Sequence, residues 1–151
     1  MRLTFLKSFS SASFVPEAVY IELQHAKTPE LVKDWIANAP AWLEVKSADT
    51  SLFAPSKRID AGEHEAIALA IELKAAAVLI DDRDGTQEAR KQSLVTLGTV
   101  NLLERAAEMD LLNLREILHR LSQTSFRLPS SEIIDAMLER DKKRESETEE
   151  L

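Results

Sequence analysis

The sequence predicts an α/β domain in which helices alternate with the strands of a parallel sheet. Residues 75–80, Ala-Ala-Ala-Val-Leu-Ile, form a continuously apolar run between two helical patterns. Such a run is typical of a strand that is buried on both faces of a parallel sheet. From Asp60 to Gly98 the patterns follow the order helix, strand, helix, strand, which indicates an α/β fold.

Two helix starts, each marked by a proline, open the chain. Pro16 follows a short extended segment and predicts the first turn of a helix that continues to about Ala26. Thr28 and Pro29 repeat the signal, with Thr28 as the cap, and the second helix should end before Pro40.

The middle of the chain is expected to contain strands and helices in alternation. The segment that starts at Asp60 becomes apolar almost all round from Ala66 to Leu73, so we expect a largely buried helix there. The other predicted elements of this region are a strand at 42–46, a loop at 47–57, a polar surface helix at 87–92 and a short strand at 94–98.

The last third of the chain predicts helices only. They span 100–109, 113–122 and 131–143, and the last is capped by Ser130 or Ser131. We therefore predict a single domain over residues 1–143, followed by a flexible acidic tail at 144–151.

Composition limits the classes of protein that fit. A chain of 151 residues can bury about two-thirds of its unfolded surface without disulfides or a structural metal. The absence of Cys excludes thiol nucleophiles and thiolate zinc sites, and it suits a reducing cytoplasmic location. No apolar run approaches the roughly 20 residues of a membrane span, so no membrane partner is expected.

The net charge of -7 argues against a broad electrostatic contact with nucleic acid. It does not exclude an enzyme that cuts nucleic acid through bound cations, because a metal ion can reverse the local sign of a carboxylate-lined site.

Carboxylates gather at the ends of the predicted elements. Asp81 and Asp82 follow the buried strand, which is where open parallel sheets place their ligands. Glu63 and Glu65 lie in the first turn of the preceding helix, and Glu22 lies on an earlier one, although a glutamate such as Glu22 is most often solvated. Oxygen donors without Cys or paired His suit Mg²⁺ or Mn²⁺. The predicted reaction class is therefore phosphodiester hydrolysis.

Each carboxylate also has a purely structural interpretation. Asp60 and Glu63 have the spacing of a capping box. Glu65 lies about 200° around the helix from Glu63, so the two need not face one site. Asp81 and Asp82 can form an acidic turn that caps the next helix, and only one of them should bind metal if both still belong to the strand.

The histidines and tryptophans predict no site of their own. His25, His64 and His119 lack the spacing of a zinc site, so surface or core-edge positions are expected. Trp35 and Trp42 have no basic cluster around them and are interpreted as core residues.

Four segments, in this order and spacing, resemble the PIN domain family. They are Val-Pro-Glu-Ala-Val-Tyr-Ile-Glu-Leu at 15–23, Asp-Ala-Gly-Glu-His-Glu-Ala-Ile-Ala-Leu-Ala at 60–70, Leu-Ile-Asp-Asp-Arg at 79–83 and Leu-Gly-Thr at 97–99. More narrowly, they look like the branch of PIN-like proteins that bind nucleic acid or form the toxin halves of prokaryotic toxin–antitoxin pairs. The resemblance runs from about Leu3 to Arg140.

The resemblance implies a three-layer α/β/α fold with an acidic pocket that holds Mg²⁺ or Mn²⁺ and cleaves single-stranded RNA. It also implies an antitoxin partner and a homodimer. By position, Glu22 matches the helix glutamate of the family, Glu63 and Glu65 match the acidic pair that opens the buried helix, and Asp82 with Asp81 matches the strand-end aspartate. The predicted metal ligands are thus Asp82, Asp81, Glu63, Glu65 and Glu22. Of these, Asp82, Glu65 and Glu22 are also the predicted catalytic residues. The predicted substrate-binding residues are Thr99 and Arg83. Thr99 is also expected to cap a helix after Gly98.

One departure from the family concerns the N-terminus. Family members begin with a hydrophobic strand that ends in a metal-binding Asp, and a helix separates this strand from the Val-Pro segment. Residues 1–14 contain no Asp or Glu and resemble that helix. We therefore expect the first strand and its Asp to be missing, as in an N-terminally truncated copy.

Three functions follow from these observations. The first is a divalent-metal-dependent endoribonuclease of PIN type, acting as a toxin. The alternative is a non-catalytic PIN-like interaction module that dimerises or binds a partner protein. A nucleotide-binding domain is disfavoured, because the chain has only three Gly and no Gly-rich phosphate loop.

Overall fold

The computed structural model describes residues 12–149, which form two compact units divided between Leu97 and Gly98. The first unit contains the strands β1 (Ser13–Pro16), β2 (Leu43–Lys46), β3 (Val78–Leu79) and β4 (Thr96–Leu97) and the helices α1 (Glu17–Leu23), α2 (Glu30–Ala37), α3 (Ala61–Glu72) and α4 (Arg83–Lys91). The second unit contains the helices α5 (Thr99–Glu108), α6 (Leu114–Ser122) and α7 (Ser131–Glu149).

The strands form two parallel pairs. β1 pairs with β2, with Ser13 opposite Leu43, and β3 pairs with β4, with Val78 opposite Thr96. Within the described residues these pairs are two separate two-stranded sheets. Short parallel strands among helices confirm the predicted α/β class and are consistent with a PIN-like α/β/α fold.

The strand predicted at 75–80 is shorter and less buried than expected. Ala75 donates its backbone N–H to the carbonyl of Ala70 at the end of α3, and alanine favours helix over strand. Val78 and Ile80 are buried, but Leu79 is 53% exposed. The prediction of a strand buried on both faces is therefore wrong, since β3 buries one face and exposes the other.

Helix α3 is the common packing partner of the first unit. It contacts α1, β1, β3 and α4, and its residues 67–70 are buried. This confirms the largely buried helix predicted from Asp60 to Leu73. The core of this unit consists of Phe53, Ile67, Ala68, Ala70, Val78, Ile80 and Ala89.

The first two helices begin and end differently from the prediction. α1 ends at Leu23 rather than near Ala26. Thr28 does not cap α2, because its hydroxyl donates to the carbonyl of Glu22 (3.2 Å) and the N-cap of α2 is Pro29. The extended segment before Pro16 is confirmed as β1.

Trp35 is 40% exposed, so its interpretation as a core residue is wrong, whereas Trp42 is half-buried. His25 and His119 are exposed and His64 lies at the core edge, with its ring edge-on to Phe53 at a centroid distance of 4.8 Å. These positions confirm what the sequence predicted for the histidines.

The second unit is a helical assembly with its own core. Asn113 caps α6 by accepting from the backbone N–H of Glu116 (2.9 Å). Gly98, rather than Thr99, is the N-cap of α5, so the predicted cap is wrong. α7 continues beyond Lys143 to Glu149, into the predicted tail. The core residues are Val100, Ala107, Leu114, Leu118 and Met137.

Residues 1–11 and 150–151 lie outside the described residues, and with them the expectations about the N-terminal segment. Over the described range, no helix is long and apolar enough to cross a membrane.

Candidate functional site

The first turn of α3 holds two carboxylates in a capping box. Asp60 Oδ1 accepts from the backbone N–H of Glu63 (2.7 Å), and Glu63 Oε2 accepts from the backbone N–H of Asp60 (3.2 Å). The capping interpretation is therefore confirmed. The capping box uses only one oxygen of each of these carboxylates.

The start of α4 holds a second acidic turn. Asp82 is the N-cap, and its Oδ1 accepts from the backbone N–H groups of Asp84 (2.7 Å) and Gly85 (3.1 Å). Because β3 ends at Leu79, Asp81 and Asp82 lie beyond the strand, and the strand alternation does not separate them. Both residues are exposed.

Glu63 joins these two helix starts. A methyl group built on Gly85 would lie 2.9 Å from Oε1 of Glu63 and 3.1 Å from Cγ2 of Ile80. The Glu63 carboxylate therefore lies directly against the first turn of α4, and a side chain at position 85 would require the carboxylate to shift.

Glu22 reaches the same region from α1. A methyl group on Gly62 would lie 3.4 Å from Oε1 of Glu22 and 3.4 Å from Oδ1 of Asp60. It would also lie 2.9 Å from Cγ2 of Val19, so α1 crosses α3 closely at this glycine. We call Glu22, Asp60, Glu63, Asp82 and Asp84 the acidic cluster.

The carboxylates of the acidic cluster act electrostatically on Glu63. Burial raises the pKa of the Glu63 carboxyl, and the charges of Asp60, Asp82 and Asp84 raise it further. The hydrogen bond from the backbone N–H of Asp60 acts in the opposite direction but does not cancel these effects. A cation bound here would relieve the repulsion.

Glu65, although predicted to be catalytic and metal-binding, lies elsewhere. It is 8% exposed, and it accepts from the backbone N–H groups of Ala18 (2.5 Å) and Ala48 (3.1 Å). It thus ties the start of α1 and the chain after β2 to α3, beside an open cavity of about 410 Å³ that Glu63 does not line. Because two residues along a helix point to different sides, Glu65 and Glu63 make different contacts, as their spacing allowed.

The predicted substrate-binding residues belong to different compact units. Arg83 is exposed at the start of α4, next to Asp82, whereas Thr99 belongs to the second compact unit as the first residue of α5.

Sequence reasoning missed Lys57, which lies in the loop before α3. Its Nζ forms an ion pair with Asp84 Oδ1 at 2.7 Å. Asp84 carries a local signal, because it lies in the acidic run after β3. Lys57 carries none, because its partner lies 27 positions away in the sequence.

Buried Glu88 on α4 was likewise missed. It is 1% exposed and accepts from the backbone N–H (3.0 Å) and the hydroxyl (2.8 Å) of Ser56 and from Lys91 Nζ (2.7 Å). The Lys91 bond, together with the Ser56 bonds, lowers the pKa of Glu88 from 4.5 to about 2, although burial alone raises it.

Because the pKa of Glu88 is lower in the folded state, its charge stabilises that state above about pH 4.5, and this contribution is lost as the pH falls towards 2. Between about pH 4.5 and pH 2, we therefore expect the free energy of unfolding to fall less in Glu88→Gln than in the wild type. Urea unfolding at several pH values measures this. An unchanged pH dependence in Glu88→Gln would contradict the assignment.

The acidic cluster has the oxygen donors that a hard divalent cation prefers. Over residues 12–149, however, no group of three or more Asp, Glu or His side chains is arranged so that it could hold a metal ion by itself. Mg²⁺ in phosphoryl-transfer sites is commonly held by only one or two carboxylates, with water and substrate phosphate as the other ligands. The carboxylates of the acidic cluster therefore fit such an ion in chemical type, with water and a substrate phosphate as its remaining ligands.

Comparison with known proteins gives one match. A family model described as a PIN domain matches residues 1–143. No curated protein and no solved structure matches the chain. PIN domains generally use divalent metals, and membership suggests nucleic-acid binding. Because the matched residues include most of the chain, the protein belongs to the PIN domain family, which indicates a nuclease-type function.

Proposed function

We propose that this protein is a divalent-metal-dependent endoribonuclease that cleaves single-stranded RNA. The observation that carries the proposal is that carboxylates from separate elements are neighbours: Glu22 of α1 lies near Gly62 at the start of α3, and Glu63 lies against Gly85 in the first turn of α4, which Asp82 caps. Carboxylates that repel one another at one site are costly to the fold, and they are typical of functional sites.

Asp82 and Glu63 would hold Mg²⁺ or Mn²⁺, and Glu22 would support them from α1. When bound, the ion would supply an activated water and neutralise charge on the scissile phosphate. Hydrolysis would break one P–O bond of the RNA backbone and add the elements of water across it.

The chain's own residues have separate tasks in this proposal. The bonds from Asp84 and Gly85 fix the Asp82 carboxylate, and the capping box fixes Glu63. Backbone N–H groups at the helix starts thus orient both carboxylates before the substrate binds. Arg83 and Thr99 stay proposed substrate contacts, and Asp81 a proposed additional ligand.

We also propose that the protein is the toxin of a toxin–antitoxin pair, that an antitoxin protein binds it and that it forms a homodimer. The resemblance of residues 15–23, 60–70, 79–83 and 97–99 to the toxin branch of the family supports this proposal. Growth arrest on expression, relieved by the product of a neighbouring gene, would test the toxin assignment, and light scattering would test the dimer.

A second candidate is a non-catalytic PIN-like module that binds a partner protein or dimerises. The observation that favours it is the lack, within the described range, of three side chains that could hold a metal unaided. It predicts no measurable Mn²⁺ binding and no RNA turnover by a folded sample.

Cleavage of a mixed-sequence single-stranded RNA separates the two candidates. We expect cleavage with Mn²⁺ and none with chelator, together with Mn²⁺ binding in calorimetry. A folded sample that neither binds Mn²⁺ nor cleaves would overturn the nuclease and favour the module. Cleavage that persists in chelator would contradict the metal requirement.

A further inference from the structure

The loop between the 3₁₀ turn Thr50–Leu52 and α3 is fastened to α4 at one point. Glu88 accepts three hydrogen bonds there, two of them from Ser56, and Lys91 also donates to the Ser56 hydroxyl. Glu88 is almost completely buried, whereas Ser56 and the Lys91 side chain are exposed. The bonds to Glu88 fasten the exposed Ser56 to α4.

The next residue after this anchor is Lys57. Its ammonium group lies 2.7 Å from Asp84 Oδ1, at the edge of the acidic cluster. The Lys57 side chain is 38% exposed, and an ammonium group has three N–H donors, so a bond to Asp84 leaves donors that can face solvent. An exposed ion pair of this kind contributes little to stability, so stability alone does not explain the Lys57–Asp84 pair.

An RNA substrate has an electrostatic difficulty at this site. Its phosphates are negative, and so are the five carboxylates of the acidic cluster and the chain as a whole, at -7. A cation held at the edge of the cluster reduces this repulsion and can bind one phosphate oxygen. Lys57 has the required charge, position and exposure.

We propose that Lys57 binds a phosphate of the RNA backbone next to the acidic cluster, and that Glu88 is the positioning residue that fixes the loop carrying it. This inference rests on the proposed function, because it takes RNA as the substrate. The carboxylate of Asp84 orients the ammonium group before the RNA arrives. Glu88 acts only through Ser56 and contacts no substrate.

Binding of a fluorescein-labelled single-stranded RNA, measured by anisotropy in chelator, tests the Lys57 contact without any cleavage. We expect Lys57→Gln to weaken binding about 5-fold and to reduce the slope of log K against log salt by about 0.7, which corresponds to one lost phosphate contact. Lys57→Arg should stay within about 2-fold of the wild type, because it keeps the charge.

Lys74→Gln is the matched control, since it removes one exposed lysine just beyond the opposite end of α3 from the acidic cluster. We expect it to leave the Kd within about 2-fold and the salt slope unchanged. Equal effects of Lys57→Gln and Lys74→Gln would show a general charge effect and overturn the inference.

Cleavage assays separate failure of this inference from failure of the proposed function. In Mn²⁺ we expect Lys57→Gln to raise KM more than it lowers kcat. Cleavage by the wild type with no change in KM or Kd for Lys57→Gln would overturn the inference and leave the nuclease. RNA binding that depends on Lys57 without any cleavage by the wild type would overturn the nuclease and leave the phosphate contact.

A double-mutant cycle tests the positioning role of Glu88. Because Glu88→Gln removes a buried carboxylate and can impair folding, Ser56→Ala serves as the milder second variant. We expect the Kd effect of Lys57→Gln to shrink in either background, since the loop is then held less firmly. The change should be smaller with Ser56→Ala, which keeps the backbone bond of residue 56 to Glu88. Full additivity of the two effects in folded double variants would overturn the positioning role.

Discussion

Asp82→Ala is expected to lower the rate of metal-dependent RNA cleavage by at least about 100-fold, because it removes a proposed metal ligand of the acidic cluster. The same change removes the N-cap of α4, with bonds of 2.7 and 3.1 Å to Asp84 and Gly85, so it should also cost about 1 kcal/mol of stability. Cleavage rates and urea unfolding of the same samples measure the two effects.

Asp82→Asn separates catalysis from capping. Asparagine accepts the same backbone hydrogen bonds but carries no charge, so we expect it to keep the stability and lose the cleavage. Asn113→Ala is the matched control, since it removes the side-chain cap of α6 and should cost stability without affecting cleavage per folded molecule. Cleavage by Asp82→Asn at the wild-type rate would contradict the role of its charge.

Glu65→Ala is expected to lower the free energy of unfolding by about 2 kcal/mol, because it leaves the backbone N–H groups of Ala18 and Ala48 without their acceptor. Water entering from the neighbouring open cavity limits the loss. Guanidinium unfolding measures the change, and cleavage per folded molecule should stay within about 3-fold of the wild type.

Glu72→Ala provides the comparison for Glu65, because it lies on the same helix and also accepts a backbone N–H, that of Asp49, at 2.7 Å. Since Glu72 is exposed, its loss should cost less than about 1 kcal/mol. Equal costs for the two variants would contradict the larger structural contribution expected of Glu65. Complete loss of cleavage in well-folded Glu65→Ala would show that Glu65 has a catalytic task.

The parts of the fold that the sequence predicted are those with strong local signals. The buried helix α3, its capping box and the acidic turn before α4 depend on residues within four positions of one another, so their spacing was sufficient. The length of β3 was wrong because an apolar run of alanines suits a helix end as well as a strand.

The candidate site was predictable in part for the same reason. Glu63 and Asp82 lie at helix starts, where a carboxylate accepts hydrogen bonds from backbone N–H groups a few positions away. The position of Glu65 depends on contacts with Ala18, 47 positions away, and that of Lys57 on Asp84, 27 positions away. No local pattern encodes such pairings, which arise only when the chain has folded.

Helix α3, rather than a continuous sheet, is the element that contacts both strand pairs of the first unit. In a continuous sheet, backbone hydrogen bonds connect every strand to its neighbours. Among the described strands, such bonds join β1 to β2 and β3 to β4, but they do not join one pair to the other. Unfolding of α3 would therefore remove a packing partner from both described strand pairs at once, so we expect the two pairs to lose their protection together when this helix opens.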